Sequence, residues 1–165
     1  MQAAIEVLTK PLAVLHCAQL LEIHNSIPHV TWDAQDLLAD SNGDRVFIDK
    51  WSHSRVAFDR LGRHPMAMMI AYARAPWAAF GERSLYLHRG AVLGECRRKG
   101  VGRMLFEHYT TAHCKPDGLE WITLQTNAEP SNAWVVEFYE DLGFERGQLV
   151  VYEDKTDYLM HKRWV

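Results

Sequence analysis

The spacing of apolar positions changes several times along the 165-residue chain, and each change marks an element. Residues 3–8, Ala-Ala-Ile-Glu-Val-Leu, read as a short first strand. Leu12, Leu15, Leu20, Ile23 and Ile27 then recur at helical spacing, predicting one amphipathic helix over 12–27 that Pro28 stops. Residues 29–51 are polar and turn-rich and predict short helical pieces at most. Two apolar runs, 55–61 and 66–73, flank Gly62-Arg63-His64-Pro65, which predicts a hairpin. The loop 75–83, bounded by Pro76 and Gly81, leads to a strand over 84–93. Val101, Met104, Leu105, Tyr109 and Ala112 return to helical spacing, and Pro116-Asp117-Gly118 closes that helix. A β-prone run over 121–126 follows. Pro130-Ser131-Asn132 opens a helix carrying Val135, Phe138, Tyr139 and Leu142 on one face, with Gly143 as its stop. Two last strands are predicted over 144–152 and 157–164. The order points to a mixed sheet covered by helices, in the α/β class.

Composition narrows the class. A chain of 19.0 kDa with 48% hydrophobic and 24% charged residues closes one core, and with no repeat or linker tract a single domain over 1–165 is expected. No apolar run reaches the roughly 20 residues of a membrane span, and the first residues lack the pattern of a secretory signal. Cys17, Cys96 and Cys114 are odd in number and scattered, which suits a reducing, cytoplasmic setting; no Cys or His spacing suggests a metal. A net charge of −3 and a pI near 6.3 give no reason to expect nucleic acid or a membrane as partner. The charge is uneven, however: Arg97, Arg98, Lys99 and Arg103 cluster, with Arg89 shortly before, which fits a local anion site or a solvated basic turn.

The glycines decide between those two. Arg97-Arg98-Lys99-Gly100-Val101-Gly102 lies between a predicted strand and a predicted helix. The first-turn amides of a helix have no internal partners and carry partial positive charge, and glycine lets phosphate oxygens approach them. A Walker A loop and a three-glycine dinucleotide fingerprint both find no match. The spacing instead resembles the Arg/Gln-x-x-Gly-x-Gly signature of the GNAT (general N-acetyltransferase) superfamily, met by Arg97, Gly100 and Gly102. Upstream, Val92 to Arg97 matches Val-x-Pro-x-x-Arg with Gly94 in the proline's place. Downstream, Asn132 to Phe144 matches Asn-x-x-Ala-x-x-Phe-Tyr-x-x-x-Gly-Phe, with Val135 as a departure. The resemblance is specific over residues 84–165.

The resemblance implies a single-domain, GNAT-like mixed and mostly antiparallel sheet with a splayed central strand pair, flanked by helices. It implies an acetyl-CoA-dependent N-acetyltransferase that moves the acetyl group directly to an amine of a small molecule or peptide. Backbone groups of Ala91, Val92 and Leu93 would meet the cofactor arm. The amides from Arg98 through Val101 and Gly102 to Arg103 would line the pyrophosphate, with the side chains of Arg98, Lys99 and Arg103 closing over it. Asn132 matches an asparagine beside the cofactor, though its place equally suits a helix N-cap. Tyr139 matches the tyrosine that protonates the departing thiolate, a role a phenol fits because it stays protonated at neutral pH. The general base stays open. Asn127 stands where ribosomal-protein alanine N-acetyltransferases carry a Glu; two-residue alternation puts His88 on one face with Tyr86, Gly90 and Val92, making it a candidate, with Glu82 and Glu129 in reserve. On the acceptor side the fold would bring 27–36 and 151–157 together, with Trp32, Asp33 and Tyr152 as candidate contacts and Trp77 as a wall. Such acidic and aromatic residues would suit a cationic amine. A CoA-binding regulatory module, another acyl group and a hydroxyl acceptor remain as alternatives, and a homodimer using 158–165 as an edge strand is an option.

Overall fold

The computed structural model describes residues 3–28, 30–41, 47–111, 115–116 and 118–164. Of the residues named above, Ala112, Cys114, Asp117 and Val165 lie outside them. Eight strands are present among the described residues: β1 (Ala4–Val7), β2 (Phe47–Ile48), β3 (Arg55–Phe58), β4 (Pro65–Arg74), β5 (Ser84–Val92), β6 (Trp121–Asn127), β7 (Glu145–Val151) and β8 (Thr156–Arg163). Among the same described residues six α-helices connect or cover them: α1 (Lys10–Leu15), α2 (Cys17–Asn25), α3 (Ala34–Leu38), α4 (Lys50–His53), α5 (Val101–Thr110) and α6 (Ala133–Asp141). The strand order is β1-β3-β4-β5-β6-β8-β7, with β2 beside the end of β4. Every pair is antiparallel except β5–β6. The mixed, mostly antiparallel sheet expected from the sequence is therefore what the chain forms.

The predicted helix over 12–27 is two helices. Thr9 caps α1 through its side chain, Pro11 occupies the first turn, and His16 leaves helical geometry (φ −108°, ψ 20°) as the C-cap of α1 and N-cap of α2. The break frees α2 to bury Leu20, Ile23 and His24 while Val14 and Leu15 of α1 stay exposed. The apolar spacing runs on through the break, so periodicity alone does not reveal it. The hairpin forms as β3–β4, with its first strand ending at Phe58 rather than 61, because Asp59 turns the chain by accepting from the Arg63 and His64 amides. The tail is not an edge: β8 lies inside the sheet between β6 and β7, and β7 forms the open margin. Pairing against β6 from Trp121 to Asn127 takes up the edge that a second copy would need.

Two apolar layers fill the two faces. On one, Leu20, Ile23 and Leu37 of α2 and α3 meet Met68, Ile70 and Tyr72 of β4 and Tyr86 and Ala91 of β5. On the other, Val101, Leu105 and Phe106 of α5 and Val136 of α6 meet Met69, Ala71, Leu87, Ile122 and Leu124. The parallel β5–β6 ladder covers only Ser84–Leu87 against Trp121–Leu124. Beyond it β5 runs on to Val92 and β6 to Asn127 without pairing each other, so an opening in mid-sheet is bordered by unpaired backbone.

Candidate active site

The opening is built by a fault in β5. Tyr86 pairs Tyr72 and Leu87 pairs Ala71, but Ile70 pairs Arg89, so His88 is an extra residue bulged against β4. The bulge shifts alternation by one. His88 stays with Tyr86 on the α2 face, whereas Gly90 and Val92 turn with Met69 and Ala67 to the α5 face. The uniform face expected for Tyr86, His88, Gly90 and Val92 is thus divided. Leu93 donates to the Met66 carbonyl (2.8 Å), so alternation directs the backbone groups of Ala91 and Leu93 toward β4 and those of Gly90 and Val92 into the opening. Of Ala91, Val92 and Leu93, the three residues expected to meet a cofactor arm, Val92 is the one whose backbone faces the opening.

From Val92 the chain makes a 3-10 turn (Gly94–Cys96) and enters the basic loop. Arg98 holds a left-handed φ of 58° and Gly100 one of 81°; the second needs glycine, and the first is strain stored in a non-glycine residue. Gly100 is the N-cap of α5 and supplies no side chain, no acidic residue sits in the first turn, and the first intrahelical bond runs from Met104 to Gly100 (2.9 Å). The amides of Val101, Gly102 and Arg103 therefore project from an uncapped helix start. A Cβ on Gly102 would lie 3.3 Å from Val92 Cγ2, so glycine lets the helix start rest against the end of β5. The result is a helix start with free amide donors and positive dipole beside exposed Arg98 and Lys99, chemistry suited to a pyrophosphate.

Two basic side chains do other work. Arg97 donates from Nε to the Val92 carbonyl (3.1 Å) and from Nη2 to Ser26 Oγ and O (2.7 and 3.2 Å), tying the loop to the end of α2. Arg103 turns along its helix toward Glu107 and Asp141 (3.6 and 3.7 Å) and over Phe138, and not over the cradle. Asn132 does not cap α6 with its side chain. Its Nδ2 donates to Thr126 Oγ1 (3.0 Å) and the Asn127 carbonyl (2.7 Å), pinning the start of α6 to the free end of β6. Tyr139 is half-buried on the α5 face between Phe106 and Phe144 (5.2 and 6.0 Å), and burial raises its phenol well above the usual range.

The opposite face carries the residues expected on the acceptor side. The rings of Tyr72, Tyr86 and Trp32 surround His88 at 5.6, 5.8 and 6.3 Å. Trp32 also stacks on buried His24 (4.1 Å), and Asn25 holds its backbone by two hydrogen bonds. Burial first, then the charges of Arg89, Lys50 and Arg74, push His88 down to about 3, so its imidazole is neutral at physiological pH. Asp33 is taken up in a capping box with Asp36 that starts α3. Trp77 forms a tight turn with Phe80, and the Arg74 guanidinium sits 3.7 Å over its ring. Tyr152 donates to Gln125 Oε1 (2.8 Å), which Tyr86 also reaches (3.3 Å), so the β7–β8 hairpin is tied to the floor of the cleft. Tyr72 and Arg74 of β4 and Gln125 of β6 also belong to this group; alternation puts Tyr72 and Arg74 on one face of their strand, but nothing in the sequence says that this face meets His88. Among the described residues no metal-ligating cluster exists, and no helix is long and apolar enough to cross a membrane.

The Acetyltransferase (GNAT) domain model matches residues 54–146, more than half of the chain. The chain belongs to the GNAT acetyltransferase family. A comparison with curated proteins finds no match. Solved structures share the fold at low identity. The ribosomal-protein-S18-alanine N-acetyltransferase from Escherichia coli is 17% identical with a TM-score of 0.71, covering 99% of this chain and 94% of its own. Ard1 from Thermoplasma volcanium is 15% identical with a TM-score of 0.74, covering 100% and 99%. NAA60 from Arabidopsis thaliana, solved with acetyl-CoA, is 14% identical with a TM-score of 0.71, covering 98% and 99%. These likenesses extend the GNAT fold over the first helices and strands, where the sequence signature is silent.

Proposed function

We propose that this GNAT protein uses acetyl-CoA to acetylate a primary amine by direct transfer. The observation that carries the reading is the uncapped start of α5, set by Gly100 and Gly102 against the end of β5 where β5 and β6 part. The residues present fit the donor: amides 101–103 with Arg98 and Lys99 would hold its pyrophosphate, and the Gly90 and Val92 backbone its pantetheine arm and thioester oxygen. When bound, acetyl-CoA supplies the electrophilic thioester carbonyl. The supporting likeness is to enzymes solved with acetyl-CoA or with CoA and peptide.

The two proton carriers lie on opposite faces of the sheet. Tyr139, held on the α5 face with its phenol raised by burial, gives a proton to the leaving thiolate. His88, on the α2 face, stays unprotonated and accepts a hydrogen bond from the incoming amine. With a pKa near 3 it is too weak to deprotonate a free ammonium, so the acceptor must arrive neutral. His88 then takes the proton that becomes acidic as the nitrogen bonds to carbon. Trp32, Trp77 and Tyr152 wall the approach, and Asp33 shapes it by starting α3. Titration with acetyl-CoA, followed by thiol release with an amine panel, tests the reading. Binding together with amine-dependent CoA release and an acetylated product is expected. Binding with no transfer to any amine would favour a regulatory CoA-binding module.

A further inference from the structure

The acceptor face was expected to be acidic, and its floor is basic. The acidic side chains nearest that floor are engaged: Asp33 and Asp36 cap each other, and buried Asp157 accepts from Lys155 Nζ at 2.8 Å through Oδ2, while Glu153 and Asp154 stand exposed at the rim, on the turn between β7 and β8. Arg89, by contrast, sits one residue past the bulge and is paired with Ile70, which directs its side chain to the α2 face. Its charge acts on His24, Tyr72, Tyr86 and His88, all members of the aromatic group around the opening. Among the described residues the guanidinium makes one hydrogen bond, from Nη1 to the neighbouring His88 carbonyl at 3.3 Å. Its Nε–H is buried with no protein partner, and among the described residues no carboxylate forms an ion pair with it. A half-buried guanidinium without a counter-charge is costly, and its planar donor array suits a carboxylate.

We propose that Arg89 is a specificity-determining residue that pairs with a carboxylate on the acceptor, so the preferred acceptors are primary amines bearing a carboxylate near the amine. This rests on the acyl-transfer reading above. Asp36, acting on His24, and Asp157, acting on Tyr86, are the carboxylates that reach this group, and each already has a partner of its own. Arg74 adds positive charge from its place over Trp77 and Tyr86. A free amino acid and a peptide with an acidic first residue both offer this chemistry, and the aromatic walls of Trp32 and Tyr152 would flank either.

Matched acceptors test the proposal: free glutamate against glutamine amide, and tetrapeptides beginning Asp or Glu against the same peptides beginning Asn or Gln. In at least one series the carboxylate member is expected to have a kcat/KM about tenfold or more above its amide, the size of one charge-assisted contact. The series that shows the preference identifies the source. Arg89→Gln should collapse that ratio toward one and Arg89→Lys should retain part of it, with acetyl-CoA affinity confirming the fold. Equal rates for both members of every pair, or a preference that survives Arg89→Gln, overturns the role of Arg89 while transfer itself stands. Acetyl-CoA binding with no transfer to any of these amines overturns the role of Arg89, and no transfer to the wider amine panel either overturns the acyl-transfer reading as well.

Discussion

At the scale of single residues, the site depends on backbone conformations that few residue types accept. Gly100 at φ 81° has open space where a Cβ would lie, so Gly100→Ala meets conformational strain alone, on the order of 1–2 kcal/mol. We expect weaker acetyl-CoA binding by calorimetry and a modest fall in melting temperature. Arg98 makes the opposite case. It bears the left-handed strain without being glycine, so Arg98→Gly should hold or raise the melting temperature while lowering acetyl-CoA affinity. Loss of both stability and affinity would mean that the Arg98 side chain supports the fold. The glycine pattern was legible in the sequence because a left-handed N-cap at Gly100 and a close approach of Gly102 to Val92 both favour glycine. The partners of Arg97, Arg103 and Asn132 were not, because Ser26, Asp141 and Thr126 meet them only after folding.

At the scale of elements, the opening is an arrangement of ends: the last turns of β5 and β6 held apart, with α5 and α6 starting beside them. Asn132 pins α6 to β6, and Arg97 joins the end of β5 to the end of α2. Arg97→Ala removes hydrogen bonds to two exposed carbonyls and a hydroxyl, at a cost of about 1 kcal/mol, or roughly 2–4 °C in melting temperature for a chain this size. Because the same side chain steadies the loop leading to Trp32, the variant should also raise KM for the acceptor more than KM for acetyl-CoA. Equal changes in the two constants would argue that the clamp is structural only. Long periodic elements such as α5, α6 and β4 were readable from spacing. The break at His16, the two-residue β2 and the bulge at His88 were not, since each is fixed by pairing or packing with distant segments.

At the scale of the whole molecule, burial lowers the pKa of His24, His53, His88, His108 and His161. Above the unfolded value of about 6.5 both states are neutral at these sites and contribute no pH dependence. Below it the unfolded chain takes up protons that the folded chain refuses, so stability falls with pH. For His88 the window runs from about 6.5 down to its folded value of about 3, with a slope of up to about 1.4 kcal/mol per pH unit. Thermal melts should therefore climb from pH 4 to 6.5 and level off above it; a flat profile would show that His88 titrates normally. Transfer across the split sheet with Tyr139 as the acid makes a sharp prediction for Tyr139→Phe. Steady-state turnover on the same amine, measured beside acetyl-CoA affinity, should fall about a hundredfold or more with affinity held within twofold. Undiminished turnover in a folded Tyr139→Phe protein would show that the thiolate leaves without a proton from Tyr139.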